Sequence, residues 1–232
     1  MIKITRANKP SSLVKNEQKW LQKIKDELAK FKKAVSEKEK DDAKKDLDKA
    51  ISKYAQTDIK ETLKKMFHGK CAFCESKITH IDYGDIEHFK PKSEYPKLAI
   101  EWENLLLSCK VCNGASYKGS NFPLDTNGNP LLINPCDDDP NIHLEFLYDE
   151  QTRVSLVSFK DKKGEKSIEI YGLNRQRFTG DLFDVRNKKI RDLIFIAIHY
   201  HKDVVAKEII DEACQEVSEY SAFAKMIKQK YT

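Results

Sequence analysis

Two cysteine pairs, Cys71-Ala-Phe-Cys74 and Cys109-Lys-Val-Cys112, constrain the fold of this 232-residue chain more than any other feature. Two intervening residues let both thiolates of a pair converge on one ion, and a closed structural zinc site takes four such ligands in a tetrahedron. The alternative is four buried or redox cysteines, but paired knuckles seldom arise without a metal. The 34 residues between Cys74 and Cys109 exceed the spacer of a simple zinc ribbon, so something further must be built between the knuckles. Cys136 and Cys214 have no such partner and read as small buried hydrophobes.

The stretches flanking the cysteines read as helical. Trp20, Leu21, Ile24, Leu28 and Phe31 recur at the helical period and predict one amphipathic helix from about Ser12 to Val35, with Ser11 or Ser12 near its cap. Ser36 to Asp48 is nearly all charged and fits either a polar helix turn or a loop. Leu47, Ile51, Tyr54, Ile59, Leu63 and Phe67 continue a second, antiparallel helix that should stop at His68-Gly69, because glycine tolerates a left-handed cap. Beyond the cysteines, Leu131 to Ile133 reads as a short strand. Glu145–Tyr148 and Val154–Phe159 read as a hairpin around Asp149–Thr152. An apolar stripe of Leu193, Ala197, Val204, Val205, Ile209, Ala213 and Val217 predicts C-terminal helices broken near His199–His201. The expected organisation is a helical segment over 1–69, a metal-organised core over 70–125, and a hairpin with helices over 126–232.

Charge narrows the partners. The net charge is +5, but residues 1–70 hold 20 Lys and Arg against 11 Asp and Glu, leaving the rest net acidic. Clustered positive charge suits a phosphate backbone, whose neutralisation releases condensed counterions, although a Lys-rich helix can equally be a solvated face. No apolar run approaches a membrane span, and the N-terminal residues Met1–Arg6 lack the pattern of a secretory leader, so a cytoplasmic location is expected. Reducing conditions there favour metal ligation of the cysteines over disulfides.

Inside the long spacer lie Gly84-Asp-Ile-Glu-His-Phe-Lys-Pro-Lys92 and Trp102-Glu-Asn-Leu-Leu-Leu-Ser-Cys109, and the second knuckle runs on as Cys112-Asn113. In this order these elements resemble the HNH (ββα-metal) endonuclease family in its four-cysteine form. Ile86–Lys92, Leu131-Leu-Ile-Asn-Pro135 with Asp138-Asp-Pro140, and Tyr171-Gly-Leu-Asn-Arg175 are further similar to the PtuB family, the HNH subunits of Septu and retron-associated antiphage systems. The resemblance implies an α+β fold: a zinc-stapled ββα-metal core with helices on either side. It also implies hydrolysis of nucleic-acid phosphodiester bonds, with DNA favoured over RNA, by a one-metal mechanism. His88 matches the family's general base, which suits an imidazole that titrates near neutrality.

Glu87 and Asn113 match the two positions that hold a catalytic Mg²⁺ or Mn²⁺, with Glu and Asn standing where many members have Asp and His. Asn104 matches the asparagine whose amide supports the loop and the imidazole. Asp85 shares a strand face with Glu87 and is either a reserve ligand or a turn residue. Lys118 follows Asn113 by five residues where the common pattern has three, which weakens a phosphate-contact role; Lys90 and Lys92 flank Pro91 beside the site. His68, His80, His143, His199 and His201 have no such context. The PtuB resemblance implies an antiphage role beside an ATPase subunit of the PtuA type, and no G-x-x-x-x-G-K-[ST] loop occurs in this sequence. The competing readings are an RNA-directed nuclease and a non-catalytic zinc-knuckle binding module, which would need the cysteines but not Glu87, His88 and Asn113.

Overall fold

A computed structural model describes residues 1–79 and 82–232, which leaves His80 outside the described residues. The chain starts as an extended strap. Met1, Ile2 and Ile4 are buried, and the Arg6 guanidinium donates to the carbonyls of Trp102, Glu103 and Leu105. Helix α1 (Ser11–Lys33) follows Pro10. Pro10 occupies the cap position with Ser11 next to it, near the cap as expected, but no neighbouring side chain accepts from the first-turn N–H groups. Asp58, 46 residues on, instead accepts from the Ser12 N–H at 2.8 Å and from the Ser11 hydroxyl.

The charged stretch is part of a helix. Ser36 and Glu39 form a reciprocal capping box that starts α2 (Glu37–Ile51), which packs along α1. The long second helix expected from the sequence is broken: a 3₁₀ turn over Ser52–Tyr54 and a non-helical Ala55 (ψ 54°) separate α2 from α3 (Thr57–Met66). The apolar spacing runs through this break because Tyr54 still packs on the core from a turn. Helix α3 ends at Met66, just before a turn in which His68 and Gly69 both have positive φ.

Next come the first knuckle and the antiparallel pair β1 (Asp85–His88) and β2 (Leu105–Ser108), in register from Asp85 opposite Ser108 to His88 opposite Leu105. Leu105, Leu106 and Leu107 are wholly buried, so β2 is packed on both faces. Cys109 then caps the short α4 (Lys110–Asn113), its sulfur accepting from the Cys112 N–H. The result is a ββα unit on α3, with the mixed α+β composition expected.

Leu131–Ile133 is not a strand. Leu132 and Ile133 are buried in irregular backbone, and the Ile133 N–H bonds the Ser167 hydroxyl instead of a neighbouring strand. A short α5 (Pro140–His143) leads into the expected hairpin, β3 (Leu144–Asp149) with β4 (Val154–Phe159), followed by α6 (Lys162–Tyr171). Helices α7 (Leu182–Ala197), α8 (Val204–Ala213) and α9 (Ser221–Tyr231) pack together behind the hairpin. The predicted stripe holds for Leu193, Ala197 and Ala213 but not for Val204, Val205, Ile209 and Val217, which are exposed; α8 buries Ala206 and Ile210 instead. No helix among the described residues is long and apolar enough to cross a membrane.

Candidate active site and metal centres

The four knuckle sulfurs lie within 4.8 Å of one another. That spacing fits thiolates about 2.3 Å from a shared zinc ion. Cys71, Cys74 and Cys112 are buried and Cys109 is half-buried. Without a cation they cannot all ionise. Burial and the neighbouring thiols push Cys71 up, bonds from the neighbouring thiols push Cys112 up, and bonds from the other thiols pull Cys74 and Cys109 down. The Arg175 guanidinium donates to the Cys112 sulfur at 3.3 Å and brings positive charge to the cluster. The residues therefore could hold zinc, and the ion would staple the end of α3 to the start of α4.

A cleft of about 550 Å³ opens on the other side of β1, lined by Asp85, Glu87, His88, Lys92 and Asn113 together with Tyr54 and Lys60 from the N-terminal helices. Alternation along β1 puts Asp85 and Glu87 on one face. Asp85 is not in a turn: it opens β1 and accepts from Asn113 Nδ2 at 3.1 Å, which leaves the lone pairs of Asn113 Oδ1 to serve as a cation ligand beside it. Glu87 is buried, with Oε1 3.0 Å from the Lys118 ammonium. Burial pushes its carboxyl up against the pull of that ammonium. Lys118 is itself wholly buried and also donates to the His88 carbonyl, so it does not face a phosphate in the cleft. Two carboxylates and an amide are hard oxygen donors of the kind Mg²⁺ or Mn²⁺ takes alongside water.

His88 is buried, and its Nε2 lies 2.9 Å from the Ala99 carbonyl. A carbonyl only accepts, so Nε2 carries the proton and Nδ1 is the basic nitrogen. Burial, seconded by the charges of Lys92 and Lys118, lowers the imidazole to about 4, so it is neutral at physiological pH. Asn104, also buried, ties the loop after β1 to the turn before β2. Its Oδ1 accepts from the Lys90 N–H at 2.7 Å, and its Nδ2 donates to the Lys90 and Leu98 carbonyls at 3.0 Å each. Leu98 precedes Ala99, so the amide holds the backbone that holds the imidazole.

Residues 71–119 match the model of the HNH endonuclease family. The chain carries an HNH domain. Septu protein PtuB of Bacillus mycoides (strain KBAB4) is 35% identical over 200 residues, covering 71% of this chain and 66% of that relative. A Septu protein PtuB of Bacillus thuringiensis is 32% identical over 177 residues, covering 75% of this chain and 55% of the relative. Septu protein PtuA of Bacillus mycoides (strain KBAB4) is 29% identical over 143 residues, 50% of this chain but 19% of its own length. The alignments thus cover less than two thirds of the length of these curated relatives. No solved structure matches.

Beyond its matched residues the HNH domain leans on parts of the chain that sequence reasoning passed over. Tyr171-Gly-Leu-Asn-Arg175 is a similarity without a role in the sequence, and three of its residues, Tyr171, Gly172 and Arg175, tie the HNH domain to the C-terminal part. Tyr171 stacks on Phe73 of the first knuckle and bonds the Ile133 carbonyl. Gly172, with φ 59°, passes so close to the Tyr117 ring that a Cβ would lie 2.1 Å from it. Leu173 is buried, Asn174 bridges the backbone N–H and carbonyl of Val157, and Arg175 reaches Cys112. Lys60 gave no local signal. Its ammonium donates to the Gly84 carbonyl beside Asp85, and burial lowers it.

Proposed function

We propose that this chain hydrolyses nucleic-acid phosphodiester bonds, DNA in preference to RNA, with His88 as general base in a one-metal site. The observation that carries this reading is a neutral imidazole with Nε2–H committed to Ala99 and Nδ1 unbonded among the described residues, in the cleft that holds Asp85, Glu87 and Asn113. Nδ1 takes a proton from water as the water oxygen bonds to phosphorus and the bond to the leaving sugar oxygen breaks; the Ala99 carbonyl stabilises the imidazolium that forms. A divalent ion, when bound, offsets charge on the phosphate and the departing oxygen. Glu87 and Asn113 are its proposed ligands with Asp85 beside them, and Asn104 positions the base. Four cysteines hold a structural zinc. The relatives' names, Septu proteins PtuB and PtuA, support a place in a Septu system beside a PtuA-type partner; the antiphage role, the ATPase character of that partner and the cytoplasmic location are part of the proposal.

The test is purified chain with labelled DNA and RNA in magnesium or EDTA, wild type against His88→Ala. A general base contributes about 10²- to 10⁴-fold, so the variant should lose at least that much cleavage while keeping zinc, fold and nucleic-acid binding. Near-normal cleavage by a folded His88→Ala protein would hand the case to the zinc-knuckle binding module. Cleavage of RNA but not DNA would reverse the choice of polymer.

A further inference from the structure

A single hydrogen bond does not fix an imidazole. The Nε2–H bond to Ala99 sets the distance of one nitrogen, but the ring can still swing about that bond and carry Nδ1 away from an attacking water. A near-attack geometry needs a second contact on the ring. That contact comes from outside the HNH match. The Tyr54 ring meets the His88 ring edge to face, with centroids 4.4 Å apart and planes at 89°. Tyr54 sits in this place because the helix breaks at Ala55; a continuous α2–α3 helix would keep it on the helical stripe. Tyr54 is in turn held by Lys92, four residues after His88, whose ammonium donates to its hydroxyl oxygen at 3.0 Å and lies 5.0 Å from its ring centroid.

We propose that Tyr54 is a positioning residue for His88: the N-terminal helices complete the active site by restricting the imidazole, and Lys92 locks the restricting ring. The inference deepens the nuclease reading and rests on it for its kinetic consequence, though not for the contact. An edge-to-face pair biases a ring between two orientations by about two- to tenfold, which is the scale of rate at stake.

The experiment compares wild type, Tyr54→Phe, Tyr54→Leu and Lys92→Met, each checked for zinc content and melting temperature. Two quantities are read: kcat and KM on a DNA substrate, and the ¹⁵N shifts of the His88 ring, assigned by their loss in His88→Gln. Tyr54→Phe keeps the ring and should stay within about twofold of wild type in kcat. Tyr54→Leu fills the space without the edge-to-face contact. It should lower kcat about tenfold with KM little changed, and its His88 signals should move from a single Nε2–H tautomer toward a mixture. Lys92 is exposed, so Lys92→Met tests the same idea without risk to the core and should shift the ring signals in the same direction by less.

A well-folded Tyr54→Leu protein with unchanged His88 signals and kcat overturns the proposal, as does Lys92→Met with unchanged signals should Tyr54→Leu not fold. If wild type cleaves nothing while the Tyr54→Leu ring signals still shift, the positioning contact stands and the nuclease reading falls.

Discussion

Lys118 is the residue whose spacing in the sequence said least about its place. Its ammonium is sealed from solvent against Glu87 and the His88 carbonyl, where neither charge can be left alone. Lys118→Ala should therefore cost about 3–5 kcal/mol in urea unfolding, the penalty of an uncompensated buried charge. Lys118→Gln, which keeps a donor, should cost less. A loss under about 1 kcal/mol for Lys118→Ala would mean the pair is not buried in solution. Asn104 was legible because its order in the motif is distinctive, but its three partners were not, since Lys90 and Leu98 are brought to it only by the loop it closes. Asn104→Ala should leave the Lys90 N–H and carbonyl without their partner, while the Leu98 carbonyl keeps the Glu101 N–H, and at about 1–3 kcal/mol for a buried orphan group it should lower stability measurably as well as slow any cleavage.

Among the elements, the turn from α6 to α7 joins the four-cysteine cluster to the C-terminal helices. Gly172 ends α6 in the left-handed region and leaves no room for a Cβ against Tyr117. Gly172→Ala combines a conformational cost of about 1–2 kcal/mol with that clash. A loss above about 2 kcal/mol in denaturant unfolding is expected, and a neutral result would show that the two segments do not pack this closely. Asp181 caps α7 through the Leu182 N–H and pairs with Arg175 at 3.1 Å and Arg177 at 3.4 Å.

Burial raises the Asp181 carboxyl, but the Leu182 and Arg177 backbone bonds, the Arg175 charge and the Arg177 side-chain bond outweigh it and hold the carboxyl below the ordinary value. A depressed folded value contributes stability that is present above the unfolded value, about 3.9, and is lost as pH falls through the folded one. Wild type should therefore lose stability below about pH 4 more steeply than Asp181→Asn, measured by unfolding free energy at each pH; parallel curves would remove Asp181 from the account. The break between α2 and α3 escaped the pattern because apolar spacing registers burial, and Tyr54 is half-buried whether it sits in a helix or a turn.

On the scale of the whole molecule, the four-cysteine cluster and the strap of residues 1–10 each join separate parts of the HNH domain. The proposed zinc would hold the two knuckles together across the long spacer, and the strap lays Arg6 over the turn that contains Asn104. Because structural zinc contributes folding free energy directly, Cys71→Ser should abolish the bound zinc seen by elemental analysis and lower the melting temperature by about 10 °C or more. Unchanged zinc content and melting temperature would refute the staple. Chelation at neutral pH should act in the same direction on the wild type.

The sequence by itself determined the local chemistry of this protein. Two C-x-x-C pairs, an acid-histidine dyad and an ordered pair of asparagines point to an HNH domain with a four-cysteine cluster that could hold zinc, because ligand spacing and motif order are properties of adjacent residues. The hairpin and the first helix were legible for the same reason, since period and turn composition act over a few residues. Only the tertiary structure decided what meets across the chain: Tyr54 against His88 over 34 positions, Lys118 under Glu87, Arg175 on Cys112, and Asp58 rather than a neighbouring serine at the start of α1. Those contacts satisfy buried charges and rings through partners far apart in sequence, and the need for a partner leaves no periodic trace of where the partner will be found.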